Sequence, residues 1–448
     1  MIRLSGLKLS PMKIIMWGYI IIILAGALLL MLPVSSREGT VTPPVDAVFT
    51  AASATCVTGL VLHDTYSYWS GFGQTVLLIL IQIGGVGFMT FTVALITLTK
   101  KKIGLRERYT MQESVGAPQM GGIVRMTRYI LCGTLLFEGA GALLLALRFV
   151  PEIGLGQGIF FAVFHSVSAF CNAGFDLFGK MEPYSSLTGF QGDAVVNLTI
   201  MALIVIGGLG FFVWLDIQKN RLRFRRYRLH SKLVLASTTL LIFSGAFLIG
   251  LFELHGTALA GLSAPEKALA CLFQSVSPRT AGFNTVVLPD MTESSILLMI
   301  ILMIIGGSSG STAGGIKTTT FSVLSLSVFS ELRQKKSIEC FMRRVDDATT
   351  RRACCVVTVY LLLSLSAAMA ICFLDSTSLR DAFFETVSAL STVGLSLGIT
   401  GELSDASHLI LAFLMYCGRV GSLTLVLAFS DNRERANSQM PLEKVTIG

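Results

Sequence analysis

Apolar residues run almost unbroken over eight stretches of the chain, roughly 14–33, 75–99, 124–149, 194–216, 233–255, 293–330, 354–375 and 406–430. The runs are continuous and do not alternate, so they predict helices and not the strands of a closed barrel. All but the sixth are near the ~20 residues that cross a ~30 Å hydrocarbon core. The sixth is interrupted: "ILLMIILMII" at 296–305 gives way to "GGSSGSTAGG" at 306–315, then Lys317. Ten small residues of this kind have poor helix propensity. The first run resembles a signal peptide, but its apolar core is long and no clear cleavage site follows it. It is therefore expected to be a true span.

The runs come in pairs, and each pair encloses a shorter amphipathic stretch: about 45–54, 158–169, 264–276 and 380–390. About three helical turns reach only halfway through a ~30 Å core. These stretches end in similar words, "SATCVTGL", "SAFCNAGF", "SPRTAGFN" and "SALSTVGL". Their glycines, Gly59, Gly174, Gly282 and Gly394, lie roughly 110 residues apart, as internal duplication would leave them. The second run of each pair carries its own glycine word, "GGVGF", "GGLGF", "GGSSG" and "GRVGS". The reading is an all-α integral membrane protein of four fused helix–pore loop–helix repeats around a pseudo-fourfold pore, with eight transmembrane helices. The repeats are bounded at 1–113, 114–229, 230–345 and 346–448.

Composition agrees: 53% of the residues are hydrophobic and 14% charged, with a mean hydropathy of +0.72, against about 25% charged in soluble domains. Charge orients the spans. Of the 35 lysines and arginines, 27 fall on one side, in the N-terminus, 100–128, 219–232, 333–352 and the C-terminal tail. The positive-inside rule makes that side, and both termini, cytoplasmic. Sixteen of the 27 acids fall on the other side, where a negative mouth would attract cations; loops merely poor in lysine and arginine would look the same. The nine cysteines show no metal-ligand spacing and read as small buried hydrophobes. No nucleophile elbow, metal pair or carboxylate dyad is present, so no enzyme and no bound cofactor are expected.

Irregular backbone at membrane depth needs protein or water to satisfy it. Four such loops around one axis can offer carbonyl oxygens in place of a potassium ion's hydration shell. Glycine suits the turn, since it accepts positive φ and adds no side chain. The half-helix C-termini point inward and favour a cation. The candidate filter is Val57, Thr58 and Gly59; Asn172, Ala173 and Gly174; Thr280, Ala281 and Gly282; and Thr392, Val393 and Gly394. It holds no carboxylate ring, which argues against Ca²⁺ or Mg²⁺. Arg279, beside the third loop, is expected to pair with an outer acid. The string Gly306, Gly307, Ser308, Ser309, Gly310, Ser311, Thr312, Ala313, Gly314 and Gly315 is expected to lie below the filter and obstruct the pore as a gate. Lys317 would tether its end or snorkel. Arg419, at the middle of an apolar run, would turn toward the pore and pin the gate through backbone carbonyls, or else pair with Asp216 or Glu138.

At these residues the chain resembles the Trk/Ktr/HKT superfamily of cation transporters, over about 12–430, and within it the bacterial Ktr potassium uptake systems. "VTGL", "NAGF", "TAGFN" and "TVGLS" stand where that superfamily has its filters. The resemblance implies potassium uptake through a gated, channel-like pore in the plasma membrane, potassium selectivity from four filter glycines, and an intramembrane gating loop at 306–317. It also implies a homodimer with one pore per subunit, a cytoplasmic regulatory ring of KtrA-like subunits binding ATP or ADP, and sodium as a candidate activator. Potassium is then substrate, and lipid is the surrounding partner; no nucleic acid is expected. The basic segments 100–108, 219–232 and 333–352 are candidate docking surfaces, or topology signals near anionic lipid. The alternative is a sodium- or proton-coupled symporter, or a less selective sodium/potassium transporter. Few midplane acids support it, Glu138 being the clear one.

Overall fold

The structure is a computed structural model describing residues 11–87, 90–91, 109–110, 112, 123–221, 223–335 and 337–421. It is helical throughout apart from a two-stranded antiparallel hairpin, β1 (Glu339–Cys340) and β2 (Arg343–Arg344). The helices follow one order four times: a first helix, a half-helix, a second helix. They are α1 (Pro11–Leu30), α2 (Pro44–Cys56), α3 (Gly71–Val86); α4 (Ile123–Ile153), α5 (Leu155–Cys171), α6 (Ala194–Leu209) with α7 (Phe211–Asn220); α8 (Leu229–Phe252), α9 (Ala264–Val276), α10 (Glu293–Ile304) with α11 (Thr318–Leu332); and α12 (Asp347–Asp375), α13 (Leu379–Leu390), α14 (Asp405–Val420).

Local chemistry starts these helices at one face of the molecule. Ser70 caps α3, Asp193 caps α6, Thr292 caps α10, Ser378 caps α13 and Ser404 caps α14, each accepting from a first-turn N–H. Helix α9 opens on a capping box of Ser263 and Glu266, with Pro265 in its first turn. The half-helices hold 13, 17, 13 and 12 residues, so the longest reaches about 26 Å and the others less than 20 Å.

Four described helices are long and apolar enough to cross a membrane: α1, α4, α8 and α12. The second helices were expected to be continuous, except for the sixth run. Instead α6 and α7 meet at a 92° bend. The break falls on Gly210, at φ 92°, and equivalent glycines end α3 (Gly87, φ 92°) and α14 (Gly421, φ 93°). Glycine reaches this conformation at no steric cost, and a helix cannot pass through it. The expected spans over 75–99 and 406–430 continue beyond the described residues.

The sets close on one another. Each second helix packs on the half-helix of the following set, α3 on α5, α6 on α9 and α10 on α13, and α14 returns to α2. Side chains between these layers form the main core, where Phe49, Phe164, Phe170 and Leu390 are fully buried. The outward faces of α1, α4 and α8 carry exposed Leu28, Leu143 and Phe247, as a lipid-facing surface requires. Cys132, Cys354 and Cys355 lie on such exposed faces, contrary to the buried role expected of them, because they fall on the outer side of α4 and α12. Cys56, Cys171, Cys271 and Cys417 are buried.

Candidate pore and gate

The four loops meet. A methyl group on Gly59 would stand 2.5 Å from the Ala173 carbonyl oxygen. One on Gly174 would stand 2.8 Å from that of Ala281, and one on Gly282 2.5 Å from that of Val393. One on Gly394 would overlap the carbonyl oxygen of Thr58, so the contacts run in a ring. All four glycines line one cavity of about 460 Å³, on the face where the half-helices begin.

Each triplet has one backbone pattern. Its first residue, Val57, Asn172, Thr280 or Thr392, has φ between 51° and 75°. The middle residue keeps negative φ, and the glycine returns to positive φ, from 70° to 97°. Ordinary extended backbone sends successive groups to opposite sides. Reversing the sign of φ at alternate residues brings successive carbonyls to one side. Left-handed φ costs a side-chain-bearing residue roughly 1–2 kcal/mol, and such strain persists only where the surroundings fix it. Nothing in the residue types of Val57 or Thr392 announced it, since β-branched residues are the least expected there.

A serine in the last turn of each half-helix, or just past it, does the fixing. Ser53 and Ser388 accept from the N–H of Gly59 and Gly394, at 3.1 Å each. Ser168 donates to the Phe175 carbonyl at 2.7 Å, and Ser277 donates to that of Phe283. These four serines open the four loop words, so the signal was visible, but it was not assigned a role. The second-helix glycines have a matching one. A methyl on Gly84, Gly207 or Gly418 would overlap the carbonyl oxygen of Thr55, Phe170 or Leu390, the same position of three half-helices.

The interrupted run forms a closed loop. Gly306 N–H bonds the Ile316 carbonyl at 2.9 Å and Thr318 N–H bonds that of Gly307 at 3.0 Å, fastening its base. The loop is packed against protein: Ser308, Thr312 and Ala313 are buried. Ser308 N–H bonds the Gly208 carbonyl at 2.9 Å and Phe211 N–H bonds that of Gly310 at 2.8 Å, so the loop occupies the bend between α6 and α7. Thr312 Oγ1 donates to the Phe170 carbonyl at 3.2 Å, and Gly314 lies against Thr392 of the fourth triplet. Lys317 Nζ donates to Ala313 O at 2.7 Å and Gly314 O at 3.3 Å, and does not snorkel away.

Arg419 takes carbonyls, not an acid. It donates to Thr312 O of the loop and to Gly84 O and Gly85 O of α3, the last at 3.2 Å. Its two candidate acids are engaged elsewhere: Asp216 accepts from Ser231 Oγ at 2.7 Å and Arg228 N–H at 2.8 Å, and Glu138 accepts from Gln82 at 3.2 Å. Arg279 departs from expectation. No carboxylate meets it among the described residues; it is buried behind the third loop, with Nη2 3.4 Å from Thr238 Oγ1. Its side chain points away from the outer loops, toward α8 and Gly307.

On the cavity side, Asp64 accepts from Tyr66, Ser67 and Tyr184 N–H groups at 2.7–3.1 Å. Asp176 lines the same cavity, and burial pushes its pKa from 3.8 up to about 7, with the Asp64 charge adding to the shift. Of the three basic segments, 219–232 and 333–352 come together: Phe224 meets Phe341 at 5.9 Å, with Lys232 Nζ 5.9 Å from each ring. Segment 100–108 lies outside the described residues.

Residues 12–439 match the family model of TrkH, a cation transport protein. The chain is 40% identical to the Ktr system potassium uptake protein B of Bacillus subtilis, covering 99% of this chain and 98% of that one. It is 39% identical to the potassium/sodium uptake protein NtpJ of Enterococcus hirae, over 98% of each. The solved potassium transporter TrkH of Vibrio parahaemolyticus shares the fold, with a TM-score of 0.75 at 20% identity over 97% of this chain and 88% of that one. The chain belongs to the TrkH family of cation transport proteins and is a membrane protein of the Ktr/Trk kind.

Proposed function

We propose that the chain takes up potassium across the plasma membrane through a gated, channel-like pore, built from four repeats of helix, pore loop and helix around a pseudo-fourfold axis. The observation that carries this is the ring of Gly59, Gly174, Gly282 and Gly394 beneath one cavity, with φ alternating in sign along each triplet. Carbonyl oxygens in that ring replace the hydration shell of a large monovalent cation. The name of the 40%-identical relative, a potassium uptake protein, points the same way. The loop at 306–317, wedged under the second and fourth triplets, is the gate, and Arg419 holds it shut.

Both termini lie in the cytoplasm in this reading, and the chain works as a homodimer. A cytoplasmic KtrA-like ring binding ATP or ADP regulates it; the exposed Phe341 and Met342 of the hairpin, beside Lys232, offer that ring a basic, aromatic surface. The relative named for both potassium and sodium supports sodium as an activator or a second, poorer substrate. A coupled symporter is less well supported, because Glu138, the clear midplane acid, is engaged by Gln82.

The test is rubidium uptake into proteoliposomes, competed with sodium. Gly282→Ser places a Cβ 2.5 Å from Val393 O at φ 78°, so the ring must widen. The ratio of rubidium to sodium preference should drop about tenfold, the size of ~1.4 kcal/mol of discrimination. An unaltered ratio contradicts the filter.

A further inference from the structure

We propose that Ser396 and Thr400 form a loading site for a partly dehydrated monovalent alkali cation, just outside the fourth pore loop, and that Glu385 behind them orients their hydroxyl groups. The proposal rests on the reading of the cavity as the path to the filter.

At the position seven residues before each triplet stand Thr50, His165, Phe273 and Glu385. Only the fourth is charged. Glu385 is fully buried on α13 and faces no cationic side chain among the described residues. Asp381, one turn earlier, is paired with Arg380 at 2.8 Å. One oxygen of Glu385 accepts from Thr400 Oγ1; the other has no hydrogen-bond partner among the described residues. Thr400 Oγ1 also lies 2.9 Å from Ser396 Oγ. Ser396 and Thr400 line the same cavity as the four glycines, while Glu385 does not.

Counting hydrogens fixes the direction of this chain. Thr400 has one hydroxyl hydrogen, and Glu385, in its ionised state, takes it. Ser396 Oγ already accepts from Gly398 N–H at 2.9 Å. Its own hydrogen then turns inward, to Thr400 Oγ1 or to the carboxylate. In that state both hydroxyl hydrogens turn away from the cavity, and oxygen lone pairs remain toward it. Oxygens so arranged suit a cation that has shed part of its water. The carboxylate behind polarises them further in surroundings of low dielectric. The loop is held in place independently, since His408 Nε2 donates to the Thr400 carbonyl at 2.8 Å.

The whole protein, reconstituted in proteoliposomes, is assayed for rubidium uptake against external rubidium concentration. Glu385→Gln and Thr400→Val should each raise the half-saturating concentration about fivefold, leaving the maximal rate within about twofold. Thr400→Ser keeps the hydroxyl and should match the parent. The effects should fall short of multiplying in the double variant, because Glu385 and Thr400 belong to one chain of hydroxyl groups. A parental half-saturation in Glu385→Gln, or effects that multiply in the double variant, overturns the site. If Glu385→Gln does not reconstitute, Thr400→Val against Thr400→Ser decides. Rubidium–sodium competition in Gly282→Ser, run alongside, keeps the outcomes apart. A changed ratio there with no change here rejects the loading site alone; an unchanged ratio there rejects the filter reading itself.

Discussion

At the scale of single residues, the candidate pore is held by small contacts that side-chain chemistry alone would not supply. Arg419 is the clearest case. An arginine inside an apolar helix costs about 2.5–3.5 kcal/mol on the lenient insertion scale, and here it is offset by carbonyls from α3 and from the loop. Charge-assisted bonds of this kind are worth roughly 1.5–3 kcal/mol each. Arg419→Ala should release the loop and raise rubidium flux on the order of tenfold, about 1.4 kcal/mol of gate stability. Flux equal to the parent's in a folded, reconstituted protein would remove Arg419 from gating. The position of Arg419 was legible because a lone charge in an apolar run must find partners. Backbone carbonyls were the expected partners, with Asp216 or Glu138 the alternative; which carbonyls was not legible, since that depends on where the loop of another set folds back. Arg279 shows the same limit: its neighbours in sequence suggested an outer partner, while the packing of α9 on α8 turned it inward.

At the scale of elements, most of the architecture could be read from spacing. Half-helices predicted over 45–54, 158–169, 264–276 and 380–390 are α2, α5, α9 and α13, and the interruption after residue 305 separates α10 from α11. The bend at Gly210 and the helix ends at Gly87 and Gly421 were missed, because a glycine within an apolar run is consistent both with close helix packing and with a break. Positive φ decides between them, and only the structure gives it. The loop at 306–317 is tied to α6, α5 and α14 by a handful of hydrogen bonds, few enough to be exchanged. Deleting 308–313 removes the anchors at Ser308 and Thr312. It should raise rubidium flux and lessen its dependence on a soluble regulatory partner. A correctly inserted deletion variant with no flux would mean that the loop builds the pore and does not close it.

At the scale of the whole molecule, the proposed pore has a field set by the acids around its cavity. Asp64, Asp176 and Glu182 line the cavity over the four glycines. Asp176 makes this field depend on pH. Its pKa in the folded protein, about 7, lies above its ordinary 3.8, so the folded state holds the proton more tightly than the unfolded one. Ionising it therefore opposes folding, and its contribution to stability declines as pH rises from about 4 through about 7. Uptake changes in the opposite sense: acidifying the outside from pH 8 to 6 protonates Asp176 and weakens cation attraction into the cavity. Initial rubidium uptake should fall severalfold over that range in the parent and less in Asp176→Asn. Identical pH profiles for the two would show that this carboxyl does not shape the field.

All three scales converge on whether Gly59, Gly174, Gly282 and Gly394 surround a cation. The direct measurement is a structure of the purified protein in rubidium, with the ion located by its anomalous scattering. The account predicts a peak on the axis of the ring, within contact distance of carbonyl oxygens from all four triplets and absent when sodium replaces rubidium. Rubidium bound elsewhere, with none on that axis in protein that transports it, would contradict the account.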